Sequence, residues 1–371
     1  MKTNAPSTST LLAALLLAAA SLFGQTGDAP IDWDKAKQLF QRERRGDSLS
    51  AQEQADLDKA KAARARDDRQ TRPGNASAQR KAPDSLKPLT DMSADDRYEG
   101  EDGGLYGNGE NAPPAALRAS AETALAAIKP LGTDGNPSGD GKIVLVSISM
   151  SNATQEFSFF KRIADSDPRK SSNLAIVDCA QGGQAMAEWV PADGQPWREA
   201  LSRLKRAGVR PEQVQVAWVK LANKTPRGSM PQHLEKLEAD TIQVLQNARA
   251  RFPNLRLAYL GSRIWAGNAS GGLNPEPYAY ESAFAVRHLI RKQMAGDASL
   301  APDRSPLLLW GPYLWAEGEK GRQSDGLKYL ADDFAKDGVH PSNSGREKVA
   351  RQLLEFFATN PLAKSWFASP D

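Results

Sequence analysis

From about residue 114 onward, apolar residues form short runs that alternate with amphipathic segments. Five runs have the length and continuous apolar character of buried strands. Before the first run, between the runs and after the last, apolar residues return at helical spacing. The strand candidates are residues 142–148, 173–179, 214–221, 255–261 and 306–314, and the helix candidates are residues 114–131, 155–165, 197–208, 233–252, 280–296 and 344–360. This alternation predicts an α/β fold with a parallel sheet covered on both faces.

The first residues show a different pattern. One lysine precedes an apolar run from Leu11 to Phe23, which is too short to span a bilayer comfortably and ends among small residues. The pattern predicts a signal peptide over residues 1–24, with cleavage after Ala20 or Gly24. No cysteine stands at the end of the run, and no later run of about 20 apolar residues occurs. We therefore expect a secreted or periplasmic protein with no membrane span after cleavage.

Residues 25–66 are charged and rich in alanine, with a narrow apolar stripe at helical spacing. Gly46 is placed to end a first helix, and Ser50 with Glu53 forms a capping-box pattern that would start a second. The segment predicts a helical hairpin over roughly residues 32–66. A solvated spacer is the alternative interpretation.

Periodicity is lost over residues 67–115, which are rich in glycine and proline. This composition predicts a linker or a loop draped over the main domain, which would occupy residues 116–371. The glycine-rich part is not a phosphate-binding loop, because no strand leads into it and no Gly-Lys-Ser/Thr follows.

Composition narrows the classes of partner. The chain has 371 residues, of which 25% are charged, and a net charge of +3. This charge is too small, and its basic residues too scattered, to indicate a nucleic-acid partner. Cys179 is the single cysteine, and no Cys/His cluster has zinc-binding spacing. We expect neither a cofactor nor a metal.

Polar residues that could carry chemistry follow the predicted strands. Parallel sheets bind ligands at the carboxyl ends of their strands. Each of these residues taken alone is explained by a helix cap or a turn. Together they supply a nucleophile, a base, a residue that orients the base, and oxyanion donors, as a serine esterase requires. They are Ser149, Ser151 and Asn152 after the first strand, Gly182 and Gly183 after the second, Asn223 after the third, and Asp337 and His340 before the last helix.

These motifs carry a resemblance to a known family. "DGVHPSNSGREKVA", "SMSN", "GGQAMAEW" and "LAN" resemble, over about residues 140–358, the conserved blocks of the SGNH (GDSL-like) hydrolase superfamily. The style of the motifs is similar to that of the sialate and carbohydrate O-acetylesterase branch. The resemblance implies a flavodoxin-like α/β/α sandwich, here preceded by the helical extension, and esterase activity.

The resemblance also implies roles for individual residues. Ser151 would be the nucleophile, His340 the base and Asp337 its orienter. The oxyanion hole would use the Ser151 N–H, a glycine N–H (Gly182 first, Gly183 next) and the Asn223 side chain. Ser149 and Met150 stand where the family has Gly-Asp, and an alternative register makes Ser149 the nucleophile.

The expected substrate is an acyl ester, most plausibly an acetyl ester, of a small molecule or polysaccharide. The predicted substrate contacts are Gly183, Asn152, Lys220, Arg263 and Glu276. Six aromatic residues could wall a sugar cleft or could instead be core residues: Trp265, Tyr278, Tyr280, Trp310, Tyr313 and Trp315. One alternative function is a catalytically impaired binding protein of the same fold. Another is a lipase or thioesterase, which an apolar pocket would favour.

Overall fold

The computed structural model describes residues 31–33, 35–36, 38–39, 42, 49–70, 80–83 and 85–369, without the side chains of 64–70. The predicted signal peptide and part of the predicted linker lie outside these residues. The chain divides into two compact units, residues 1–77 and residues 78–371. The second unit therefore includes much of the segment that was expected to be a linker or a draped loop.

In the first unit, helical residues between 33 and 42 precede helix α1 (Ala51–Gln70). The capping box predicted at its start is confirmed, because the Glu53 N–H donates to Ser50 Oγ and the Ser50 N–H donates to the Glu53 carboxylate. Lys35 forms a salt bridge with Asp56 at 2.7 Å. Such exposed ion pairs contribute little to stability.

The second unit is built on a five-stranded parallel sheet, so the predicted fold class is confirmed. The strand order is β2-β1-β3-β4-β5, as in flavodoxin-like folds, and nearly every strand residue is buried. The order reverses between β1 and β3, which is the place where such sheets bind ligands. The strands are β1 (Ile143–Ser149), β2 (Leu174–Val177), β3 (Val214–Lys220), β4 (Leu257–Leu260) and β5 (Leu307–Trp310).

Helices cover both faces of this sheet. Crossovers between parallel strands are right-handed, so the helix between β1 and β2 lies on the opposite face from those that follow β3 and β4. Accordingly α3 packs against α8, and α6 packs against α7. The helices are α2 (Ala115–Ala126), α3 (Ser151–Asp165), α4 (Met186–Trp189), α5 (Gln195–Arg206), α6 (Met230–Arg251), α7 (Tyr278–Met294), α8 (Asn343–Thr359) and α9 (Lys364–Phe367).

Two boundaries differ from the prediction in ways that affect the site. Helix α3 begins at Ser151, four residues before the predicted segment, because Met150 is extended and the chain turns directly into the helix. Strand β2 ends at Val177, where Asp178 turns its carboxylate to Ser147 Oγ (2.6 Å) and Thr154 Oγ1 (2.5 Å). These bonds fix the first turn of α3 to the ends of β1 and β2.

The glycine-rich segment packs on α7 through an ionic cluster. His288 lies between the carboxylates of Glu238 (2.7 Å) and Glu101 (3.0 Å). Although burial lowers it, these two carboxylates raise the pKa of His288 to about 9. The segment is therefore held partly by a histidine that is charged at neutral pH.

We expect His288→Gln to destabilise the protein in a pH-dependent way. The pKa of His288 is raised on folding, so its contribution is fully present below about pH 6.5 and is lost as pH rises through about 9. After allowance for partial exposure, the loss is about 2 kcal/mol near pH 6 and much less near pH 10. Urea unfolding of the wild type and of His288→Gln near pH 6 and near pH 10 measures this difference in the free energy of unfolding. A difference of equal size at the two pH values contradicts the prediction.

Candidate functional site

Ser151 occupies the first position of α3, directly after the carboxyl end of β1. The N–H groups of a first helical turn have no partners within the helix, and the helix dipole favours negative charge there. The Oγ of Ser151 lies 2.8 Å from Nε2 of His340, although 188 residues separate the two positions. The fold thus brings a half-buried hydroxyl and an imidazole into hydrogen-bond contact.

His340 is held by Asp337 on the loop between residues 335 and 341, here called the base loop. Asp337 Oδ2 lies 2.6 Å from His340 Nδ1, and Oδ1 accepts the backbone N–H groups of Val339 (3.0 Å) and His340 (2.9 Å). The carboxylate can accept only from a protonated Nδ1, which leaves Nε2 free to accept the Ser151 proton. Although partial burial raises the pKa of Asp337, these N–H groups and the imidazole hold it below its usual range.

The base loop is fixed to its surroundings at several points. The Ala335 N–H donates to the His340 carbonyl at 2.8 Å, which closes the loop on itself. Asn152 Nδ2, in the first turn of α3, donates to the Val339 carbonyl at 3.1 Å. Ser342 caps α8 immediately afterwards. The first turn of α3 and the base loop are therefore tied together beside the contact between Ser151 and His340.

Gly338 is a position that the sequence reasoning did not single out. Its φ is +67°, and a Cβ there would overlap the carbonyl of Asn268. Both facts require glycine at this position. A glycine between an acid and a base was the available signal, but a sequence does not show which backbone lies against it.

For the ester hydrolysis proposed below, we expect Gly338→Ala to lower kcat by about 10- to 100-fold, because the base loop must move to relieve the overlap and misplaces His340. Gly326→Ala is the matched control, since Gly326 also has a positive φ (72°) but open space around its Cβ position. Ester hydrolysis by both variants measures the effect. Equal losses in the two would show that backbone strain, rather than the position of His340, is responsible.

The predicted oxyanion donors lie on loops that meet beside Ser151. Met150, Ala185 and Ala222 pack together, so the ends of β1 and β3 and the loop after β2 converge. Gly182 and Gly183 are exposed on the loop after β2, and Asn223 directly follows Ala222 on the loop after β3. Among the described residues, none accepts a hydrogen bond from the N–H of either glycine or from the Asn223 side-chain amide.

Ser149, the alternative nucleophile, has a different environment. Its side chain is fully buried, and Oγ donates to the Lys220 carbonyl across the sheet. A hydroxyl engaged in the interior is not available to attack an ester. The geometry therefore favours Ser151 over Ser149.

Three of the predicted substrate contacts lie in the interior, which corrects the expectation that they face a cleft. Lys220 is fully buried and forms an ion pair with Glu156, while Arg263 is 2% exposed. Glu276 accepts hydrogen bonds from the Ala266 and Tyr280 N–H groups and from the Trp315 indole. In this conformation these side chains offer almost no surface to a ligand.

The remaining predicted contacts, Asn152 and Gly183, differ in their exposure. Asn152 is 3% exposed, and its side-chain amide holds the base loop in place rather than facing a ligand. Gly183 is exposed and has a φ of +79°. Of the six aromatic residues considered for a sugar cleft, five are buried and Trp265 keeps exposed surface. Those five act as core residues.

No family model and no curated protein matches this chain. Several solved structures of acyl-ester enzymes are distantly similar. An acylhydrolase, by description, of Bacteroides fragilis has a TM-score of 0.34 and 14% identity, covering 66% of this chain and 96% of its own. The periplasmic domain of a lipopolysaccharide acetyltransferase of Salmonella ser. Paratyphi A has a TM-score of 0.32 and 13% identity, covering 64% and 95%. An extracellular lipase of Streptomyces rimosus has a TM-score of 0.29 and 12% identity, covering 57% and 97%.

At these identities and scores the similar structures assign no activity to this chain. Two further observations concern its chemistry and location. The described residues contain no group of His, Cys, Asp and Glu side chains that could hold a metal ion. Within the same residues no helix is both long and apolar enough to cross a membrane. The geometry around Ser151 has to carry any functional proposal.

Proposed function

We propose that this protein is a serine esterase that hydrolyses acyl esters through Ser151, His340 and Asp337. The observation that carries the proposal is the continuous pair of contacts from Ser151 Oγ to His340 Nε2 and from His340 Nδ1 to Asp337. A nucleophile, a base within hydrogen-bond reach and a group that orients the base form the arrangement that serine hydrolysis needs.

In the proposed reaction, Ser151 Oγ attacks the ester carbonyl carbon while His340 Nε2 takes its proton. The resulting oxyanion is stabilised by the Ser151 and Gly182 N–H groups and the Asn223 amide. The C–O bond to the alcohol then breaks, and the alcohol leaves with the proton held by His340. Water, deprotonated by His340, attacks the acyl-serine, and its proton finally returns to Ser151 as the carboxylic acid departs.

The alternative of a binding protein that has lost turnover rests on the departure from Gly-Asp-Ser at Ser149 and Met150. The side chain of Met150 does not obstruct Ser151. Its side chain is 8% exposed and packs with Ala185 and Ala222, while Ser151 keeps its contact with His340. The geometry thus favours an active esterase over a binding protein.

We further propose that the acyl group is short, that the alcohol is a carbohydrate and that the protein is exported. Packed side chains of Met150, Ala185 and Ala222 fill the space between the ends of β1 and β3 and the loop after β2, which favours acetyl over a long chain. The carbohydrate rests on the motif resemblance of "GGQAMAEW" and "SMSN". Export rests on the apolar run from Leu11 to Phe23.

The decisive experiment is labelling of the mature protein with a fluorophosphonate, followed by peptide mapping and assays of ester hydrolysis. We expect the label on Ser151, no label on His340→Gln, and faster hydrolysis of a sugar acetate than of a palmitoyl ester. Label on Ser149 would move the nucleophile. Absence of both label and hydrolysis would favour the binding protein, and preference for the palmitoyl ester would favour a lipase.

A further inference from the structure

The segment from Ser270 to Asn274, here called the strap, contacts both halves of the candidate site. At one end, the N–H and Oγ of Ser270 both donate to the Asp337 carbonyl, at 3.1 and 3.2 Å. At the other end, the N–H of Asn274 donates to the Lys224 carbonyl at 2.9 Å, and its Nδ2 donates to the Asn223 carbonyl at 3.3 Å. The strap therefore joins the base loop to the loop that carries the predicted oxyanion amide.

The length of the strap limits how far these two loops can separate. Four residue steps span at most about 14 Å when fully extended. The middle of the strap contains Gly271 and Gly272 and carries no buried side chain. Its ends, rather than its middle, are therefore fixed, and they are fixed to the two parts whose spacing determines the geometry of the reaction.

Asn274 is the more constrained end. It is 3% exposed and adopts a φ of +51°, a conformation that costs most residues energy but that asparagine tolerates. Its buried Oδ1 accepts no hydrogen bond from the described residues. Asn274 thus combines a left-handed backbone with a buried amide whose Nδ2 and N–H hold the loop of Asn223 and Lys224 in place.

We propose that Asn274 is a positioning residue that sets the Asn223 amide at the oxyanion, and that the strap fixes its distance from His340. This inference rests on the proposed function of Ser151, His340 and Asn223. Asn274 touches no reacting atom in this scheme and acts through Asn223. Because the oxyanion forms only in the transition state, loss of the tether should lower kcat and leave KM nearly unchanged.

Asn274→Gly tests this cleanly, because glycine accepts the positive φ and only the side-chain tether is lost. We expect kcat to fall about 10-fold and KM to stay within about twofold. Asn108→Gly is the matched control, since Asn108 is an exposed asparagine with a φ of +55° in the glycine-rich loop. Unchanged kcat in Asn274→Gly would overturn the proposal, and so would an equal loss in Asn108→Gly.

A double-mutant cycle separates positioning from a general structural role. If Asn274 acts through Asn223, then Asn274→Gly should cause little further loss of kcat in an Asn223→Ala background. Multiplicative losses would overturn the proposal. The side-chain amide signals of Asn223 in NMR spectra give a readout that does not need activity. These signals should shift in Asn274→Gly, and unchanged signals would overturn the positioning role of Asn274. An unreactive Ser151 would instead refute the proposed function, and the two failures can therefore be told apart.

Discussion

Ser151→Ala should lower kcat for a chromogenic acetate ester by about a thousandfold to a millionfold. The variant removes the group that forms the acyl intermediate, while the oxyanion donors and the base loop remain. Only one hydroxyl oxygen is removed at a half-buried position, so the thermal midpoint should move little. Steady-state kinetics together with a thermal melt measure both quantities.

Ser149→Ala is the matched control on the same strand end. Its hydroxyl donates to the Lys220 carbonyl in the interior, so its loss should cost about 1 kcal/mol of stability and leave kcat close to that of the wild type. Loss of activity in Ser149→Ala with retention in Ser151→Ala would transfer the nucleophile to Ser149. Retention in both would exclude a serine mechanism at this strand end.

Much of the fold could be predicted because its signals are local. Each strand is a continuous apolar run, and order β2-β1-β3-β4-β5 brings the carboxyl ends of β1 and β3 side by side. The candidate triad could also be predicted from its order along the chain, since Asp337 and His340 share one short loop. Their contact with Ser151 is a consequence of the parallel sheet, which places that loop over the start of α3.

The roles of polar residues near the strand ends could not be predicted in the same way. Lys220, Arg263 and Glu276 follow or end strands, as substrate contacts do, yet the structure turns them inward. A sequence shows that a residue is charged but not that its partner is Glu156 on α3 or the indole of Trp315. The strap was missed for a related reason. Its contacts are largely to backbone carbonyls, which every residue has and no motif marks.

The buried ion pair between Lys220 and Glu156 leads to the second large prediction. Both side chains are fully buried beneath the start of α3, and Glu156 lies five positions after Ser151. Burial, opposed by Glu156 and assisted by Arg263, lowers the pKa of Lys220 to about 8. Burial also lowers the pKa of Arg263, while Glu156 and Glu276 raise it. Among the described residues Lys220 alone forms an ion pair with Glu156, and the buried Arg263 is close enough for the charge of Glu156 to raise its pKa.

Removal of Glu156 should therefore cost more than removal of Lys220. Glu156→Gln leaves Lys220 and Arg263 as two buried cations that repel each other, and we expect a loss of about 3–5 kcal/mol, a large part of the stability of a typical domain. Lys220→Met leaves the attraction between Glu156 and Arg263 in place, so its cost should be smaller. Replacing both residues with apolar side chains removes the pair and its desolvation together, and should cost less than Glu156→Gln alone.

Urea unfolding at neutral pH, followed by circular dichroism, measures all three variants. The expected order of stability is wild type, then Lys220→Met, then Glu156→Gln, because Glu156→Gln leaves the buried Lys220 without its ion-pair partner, whereas Lys220→Met leaves Glu156 near the cation of Arg263. The reverse order of the two single variants would show that the attraction between Arg263 and Glu156 contributes little to stability. Equal and small losses would show that water reaches the three groups despite their burial.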